Sequence, residues 1–83
     1  VITVVLLGKL ADLGGAPTLW VELTGSGPLD WAGLKAALPE ALAAEAEDPR
    51  IRVAVNGALV ADKIALQAGD GDEIALLPPV SGG

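Results

Sequence analysis

The chain opens on seven residues, Val1 to Leu7, in which every side chain except Thr3 is aliphatic. A second such run, Glu73 to Leu77, stands close to its end. Continuous β-branched and aliphatic runs of this length read as strands that are covered on more than one side. Two strands of this kind, one first and one last, both need neighbours on either flank. Placing them side by side and parallel at the centre of one sheet meets that need. Everything between them must then supply the outer strands and the cover for one face.

The intervening chain fits that requirement. Gly8 ends the first strand, and Lys9 to Leu13 can make a short turn of helix before Gly14-Gly15. Thr18 to Thr24 alternates, with Leu19, Val21 and Leu23 on one side and Trp20, Glu22 and Thr24 on the other, as in a half-buried strand. The Gly14-Gly15-Ala16-Pro17 connection suits a hairpin, which makes the first two strands antiparallel. Gly25-Ser26-Gly27-Pro28 closes the second strand and opens a helix, with Pro28 at the first helical position and Asp30 in the first turn. Trp31, Leu34 and Leu38 recur at helical spacing and are expected in the core.

Pro39 breaks that helix and begins a second segment over Glu40–Glu47, closed by Asp48-Pro49. Arg50 to Val55 alternates again, and Asn56-Gly57 predicts a type I′ hairpin because both residues tolerate positive φ. Ala58 to Ala61 is the expected returning strand. Asp62 to Asp72 reads as an irregular connection, anchored by Ile64 and Leu66 and turned at Gly69-Asp70-Gly71. The order strand, strand, helix, strand, strand, strand predicts an α+β domain over residues 1–77. One main helix would cross a mixed sheet, the β-grasp arrangement.

Composition removes most chemistry. With no cysteine and no histidine, the chain lacks disulfides, thiol nucleophiles, thiolate metal sites and imidazole bases, and no metal is expected. A net charge of -6 without a basic run makes nucleic acid and anionic membranes poor partners and basic protein surfaces better ones. Hydrophobic residues make up 52% before the eleven glycines are counted, above the roughly 45–50% usual for both together. Either an apolar surface awaits a partner, or the fifteen alanines inflate the figure. No apolar run is long enough to span a membrane and no signal peptide is visible, so the expected location is cytoplasmic.

Residues 78–83, Pro78-Pro79-Val80-Ser81-Gly82-Gly83, read as a flexible extended tail. The prolines cannot continue a ladder, and beyond Val80 almost nothing is left to bury. A thread this thin suits a narrow channel, and its only reactive group is the Gly83 carboxylate. A terminal Gly-Gly alone is weak, arising by composition in about two chains in a hundred. It gains weight from the strand that runs directly into it. A sulfur carrier without a thiol would have to hold its cargo on that carboxyl group.

Val53-Ala54-Val55-Asn56, Leu59-Val60, Gly71-Asp72-Glu73-Ile74-Ala75 and the block Pro78 to Gly83 together resemble the small subunit of molybdopterin synthase, a ubiquitin-like sulfur carrier. The similarity extends to Leu10-Ala11-Asp12-Leu13. The chain departs from that family in carrying Leu6, Leu7, Leu76 and Leu77 where phenylalanines are frequent, and Ala11 where arginine is. The resemblance implies a ubiquitin-like β-grasp fold and a non-catalytic subunit within a heterotetramer. An adenylyltransferase would use ATP to make an acyl-adenylate of Gly83, and a sulfur donor would convert it to a thiocarboxylate. No cofactor would be bound directly. Ser81, Gly82 and Gly83 would then enter the large synthase subunit and give sulfur to cyclic pyranopterin monophosphate, with Pro78 and Pro79 limiting slack at the channel mouth.

Strand alternation gives a docking face. If Ile2, Val4 and Leu6 point at the helix, Val5 and Leu7 point away, as do Ala54, Ala75 and Leu77, with Leu59 nearby. Leu7, Leu59, Leu77, Pro78, Pro79 and Val80 are therefore the expected partner contacts. The competing expectation is that the domain's own loops cover them. Other motifs fail: Gly25-Ser26-Gly27 lacks the third glycine of a dinucleotide loop, and Gly8-Lys9 lacks a Walker context. Asp70, Asp72 and Glu73 start like a calcium loop, but its twelfth position would be Ser81. Other functions stay open: carriage of sulfur for thiazole, cysteine or tRNA thiolation, a protein modifier joined through Gly83 to lysines, or a plain interaction module whose tail is incidental. Thiazole-type carriers tend to lack the second helical segment, which favours the molybdopterin resemblance.

Overall fold

The computed structural model describes residues 1–23 and 25–79. In chain order its strands and helices are β1 (Ile2–Leu6), α1 (Lys9–Gly14), β2 (Thr18–Val21), β3 (Leu29–Asp30), α2 (Trp31–Ala37), α3 (Glu40–Ala46), β4 (Arg52–Val55), β5 (Ala58–Leu59), β6 (Gln67–Ala68) and β7 (Glu73–Leu77), with a 3₁₀ turn at Lys63–Ala65. The main sheet runs β2-β1-β7-β4-β5. The two aliphatic end strands lie parallel at its centre, with Val4 beside Ile74 and Leu6 beside Leu76. β2 pairs antiparallel with β1, and β4 with β7. This is the mixed sheet that the two end runs demand.

One face of that sheet is the core. Ile2, Val4, Ile74 and Leu76 are fully covered, and they cluster with Leu34 and Leu42 of the helices and with Trp31. Leu38 and Pro39 separate α2 from α3, so the cover is two seven-residue helices rather than one long one. Each is too short to persist alone, and burial of its apolar stripe against the sheet holds it in place. At Asn56-Gly57 the φ angles are 51° and 85°, as a type I′ turn requires, and the turn joins β4 to β5.

Four expectations need correction. Pro28 does not begin the helix: Leu29 and Asp30 are extended and pair with Ala68 and Gln67 in a second, two-stranded sheet. Asp30 is instead the N-cap of α2, its Oδ1 accepting a 2.8 Å hydrogen bond from the Gly33 N–H. Leu66 is an anchor, but Ile64 is 73% exposed, because the 3₁₀ turn capped by Asp62 rotates it outward. Ala54 belongs to the outer face yet is buried, and it stands apart from the core cluster. The strands are also shorter than the alternation suggested: β2 ends at Val21, β4 starts at Arg52 and β5 ends at Leu59.

Candidate functional site

The face of the sheet turned away from the helices is built by strand register. Val5 lies beside Ala75 and opposite Thr18, Ala75 opposite Ala54, and Ala54 opposite Leu59. One row of small and aliphatic side chains therefore crosses all five strands. Toward the start of β7 the next row holds Trp20, Thr3 and Glu73. Toward its end, Leu7 and Leu77 each follow the last residues paired between β1 and β7, Leu6 and Leu76, and Leu77 stands opposite Arg52.

Leu7 is 43% exposed, Leu59 63% and Trp20 67%, so among the described residues no loop of the domain covers this face. Leu77, Pro78 and Pro79 are half-buried. Of the expected contacts, the structure thus brings Leu7, Leu59, Leu77, Pro78 and Pro79 to one end of one face. Val80, Ser81, Gly82 and Gly83 lie outside the described residues. Trp20 joins the face only through its pairing with Thr3, a register that alternation within β2 could not supply.

The root of the tail is closely seated. Gly8, with φ of 57°, ends the first strand, and a Cβ there would lie 3.4 Å from the Pro78 ring. Its positive φ is cheap for glycine and strained for other residues, and there the chain turns out of the strand into α1. Beside Leu77 opens a groove of about 520 Å³, lined by Pro49, Leu59, Leu77, Pro78 and Pro79 together with Arg50 and Arg52. Arg50 is engaged: its Nε and Nη2 reach Asp48 at 3.2 and 2.8 Å. Those hydrogen bonds, with that from the Arg50 backbone N–H, hold the Asp48 carboxyl well below the usual range, and Asp48 raises the Arg50 pKa in turn.

A second cavity of about 390 Å³ lies beside Trp31, Lys63 and Ile64. Its lysine is not a spare nucleophile. Lys63 Nζ donates to the carbonyl oxygens of Ala46, Asp48 and Ile51 at 2.7, 2.6 and 3.1 Å and sits 5.4 Å from the Trp31 ring centroid. Burial pushes its pKa down while Asp48 and Glu47 pull the other way. The amine ties the end of α3 to the start of β4. Among the described residues no three potential metal ligands converge, and no helix is long and apolar enough to cross a membrane.

The outer face is thus apolar at the end where β7 leaves the sheet, with Leu7, Leu59, Leu77, Pro78 and Pro79 gathered there. Residues 20–83 match the model of the ThiS family. The chain belongs to the ThiS family. SAMP1 from Haloferax volcanii is similar at 33% identity and a TM-score of 0.70, with 99% of this chain and 98% of that one covered. A chain from the complex of subunits 1 and 2 of molybdopterin-converting factor from Helicobacter pylori is similar at 27% identity and a TM-score of 0.65, covering 99% and 97%. The BexX/CysO complex of Amycolatopsis orientalis, at 24% identity and a TM-score of 0.66 over the full length of both chains, shares the fold. No curated protein matches the sequence.

The ubiquitin-like β-grasp expected from strand order and the resemblance to the molybdopterin synthase small subunit are both met. This ThiS-family chain is a ubiquitin-like sulfur carrier or modifier.

Proposed function

We propose that this chain carries sulfur for molybdenum cofactor assembly, as the non-catalytic small subunit of a heterotetrameric molybdopterin synthase in the cytoplasm. The Gly83 carboxylate attacks the α-phosphate of ATP on an adenylyltransferase, releasing pyrophosphate and leaving an acyl-adenylate. A sulfur donor attacks the acyl carbon and AMP departs with one of the original carboxylate oxygens, so that sulfur replaces oxygen. Adenylation supplies the leaving group that a free carboxylate lacks. The thiocarboxylate then enters the large subunit on the thread Ser81-Gly82-Gly83 and gives its sulfur to cyclic pyranopterin monophosphate. A tethered nucleophile delivered this way reacts at high effective concentration and away from water.

The observation that carries this reading is where the chain leaves its domain. Central strand β7, fixed by the fully covered Ile74 and Leu76, ends directly in Pro78-Pro79 beside the exposed Leu7 and Leu59. That nearness of the exposed apolar residues to the point where β7 ends supports the reading. The presence of α3 favours the molybdopterin carrier over thiazole-type relatives. The Helicobacter pylori protein is named as a complex of subunits 1 and 2, which supports a partner for this chain.

A modifier function is the second reading, favoured by the 33% identity to SAMP1, a small archaeal modifier protein. Intact mass measured after purification from cells making the cofactor separates the two. A gain of about 16 Da marks exchange of oxygen for sulfur, whereas attachment to lysine loses water and gives a branched peptide. Adding one untrimmed alanine after Gly83 is expected to abolish dithiolene formation. Undiminished formation would overturn the carrier reading.

A further inference from the structure

The tail's root carries a charge opposite to that of the chain as a whole. Net charge is -6, and most cations serve the fold. Lys9 pairs with Glu45 at 2.7 Å, Lys35 pairs with Glu47, Arg50 is held by Asp48, and Lys63 is held by three carbonyls. Arg52 differs. Among the described residues it makes no ion pair, it is exposed, and its place opposite Leu77 sets it on the outer face in the lining of the tail-root groove. A planar guanidinium sharing a groove with Leu59, Leu77, Pro78 and Pro79 suits a carboxylate flanked by apolar side chains.

We propose that Arg52 is a positioning contact for tail delivery, its guanidinium pairing with a carboxylate on an acidic segment of the protein that receives the tail. The proposal rests on the carrier reading and adds the chemistry of the contact. The acidic bulk of the chain draws it to a basic partner in any of many orientations. One local charge of reversed sign, adjoining the apolar patch, selects the orientation in which Pro79 points at the channel. Charges at an interface rim act mainly through orientation and association rate.

The test measures association of the full chain with the large molybdopterin synthase subunit of the same host, by stopped flow. Wild type is compared with Arg52→Gln, Arg52→Glu, Leu77→Glu and Lys35→Gln, each checked for folding by circular dichroism. Lys35→Gln removes the same charge from the helical layer, on the opposite side of the sheet. At low salt Arg52→Gln is expected to slow association by about 3- to 5-fold and Arg52→Glu by about 10-fold. At about 0.5 M salt both deficits should shrink below about twofold, because exposed charges are then screened. Lys35→Gln should stay within about twofold of wild type throughout.

Arg52 variants indistinguishable from wild type, while Leu77→Glu binds poorly, would overturn the contact and leave the carrier reading standing. Equal slowing by Arg52→Gln and Lys35→Gln would overturn it too, by showing net charge alone at work. If wild type does not bind the large subunit at all, the carrier reading fails and takes the contact with it.

Discussion

Leu59 offers the sharpest test of the outer face, because its truncation should separate docking from folding. It lies on the two-residue edge strand β5 with 63% of its surface in solvent. Complete burial of a leucine side chain contributes about 1.5–3 kcal/mol, so covering the exposed share contributes about 1–2 kcal/mol. At 1.4 kcal/mol per factor of ten, Leu59→Ala is expected to weaken binding to the large synthase subunit by about 5- to 30-fold. Folding should lose no more than about 1 kcal/mol, since only the smaller, covered share of the side chain is packed in the monomer. Leu76 provides the contrast. It is fully covered, and Leu76→Ala should cost about 2–5 kcal/mol of folding stability. Isothermal titration gives the affinity and urea unfolding the stability of the same samples. An affinity within twofold of wild type in stably folded Leu59→Ala would refute the assignment of this face.

Two further outcomes test the fold that holds the site. Lys63→Met removes three charge-assisted hydrogen bonds from partly buried carbonyls and is expected to lower unfolding free energy by about 2–3 kcal/mol in urea titrations. A loss below about 0.5 kcal/mol would mean that water replaces the amine without cost. Asp48 and Asp72 both have carboxyl pKa values lowered from 3.8, Asp48 chiefly by the Arg50 side chain and Asp72 by the Gly69 N–H and then Asn56. The unfolded chain therefore binds protons first as pH falls. The stability these groups contribute is complete above about pH 4 and is lost as pH drops toward their folded values. Thermal melts should show that acid limb, and Asp48→Asn with Asp72→Asn should flatten it; an unchanged limb would assign acid sensitivity elsewhere.

What was legible in the sequence followed from patterns that one segment sets alone. The aliphatic ends, the burial of Trp31, Leu34 and Leu38, and the positive-φ pair Asn56-Gly57 each appear in the structure as read. The β3–β6 ladder was not legible, because two residues in each strand carry no period and only tertiary contact aligns Leu29 with Ala68. Ile64 and Leu66 are alike as letters, and the 3₁₀ geometry between them decides that one is exposed and the other buried. At the site, alternation placed Leu7 and Leu77 outward, and adjacency of the end strands brought them together. Arg52 needed one more fact, the register that sets it opposite Leu77. Its signal, an arginine in an otherwise apolar strand, was visible without that partner.

Position within the sheet also explains why the domain can serve as a rigid handle. Drawing a tail into a channel pulls on the strand behind it. A terminal strand at a sheet edge would resist with one ladder and could peel away. Here β7 is bonded to β1 on one side and β4 on the other, and its inward residues Ile74 and Leu76 are fully covered. Peeling it would break both ladders and open the core. The edges of the described sheet are β2 and β5, and β5 is only two residues long, which blunts unwanted strand pairing. On the proposed function, a pull transmitted through Pro79 therefore meets a strand held on both sides, and the domain resists deformation.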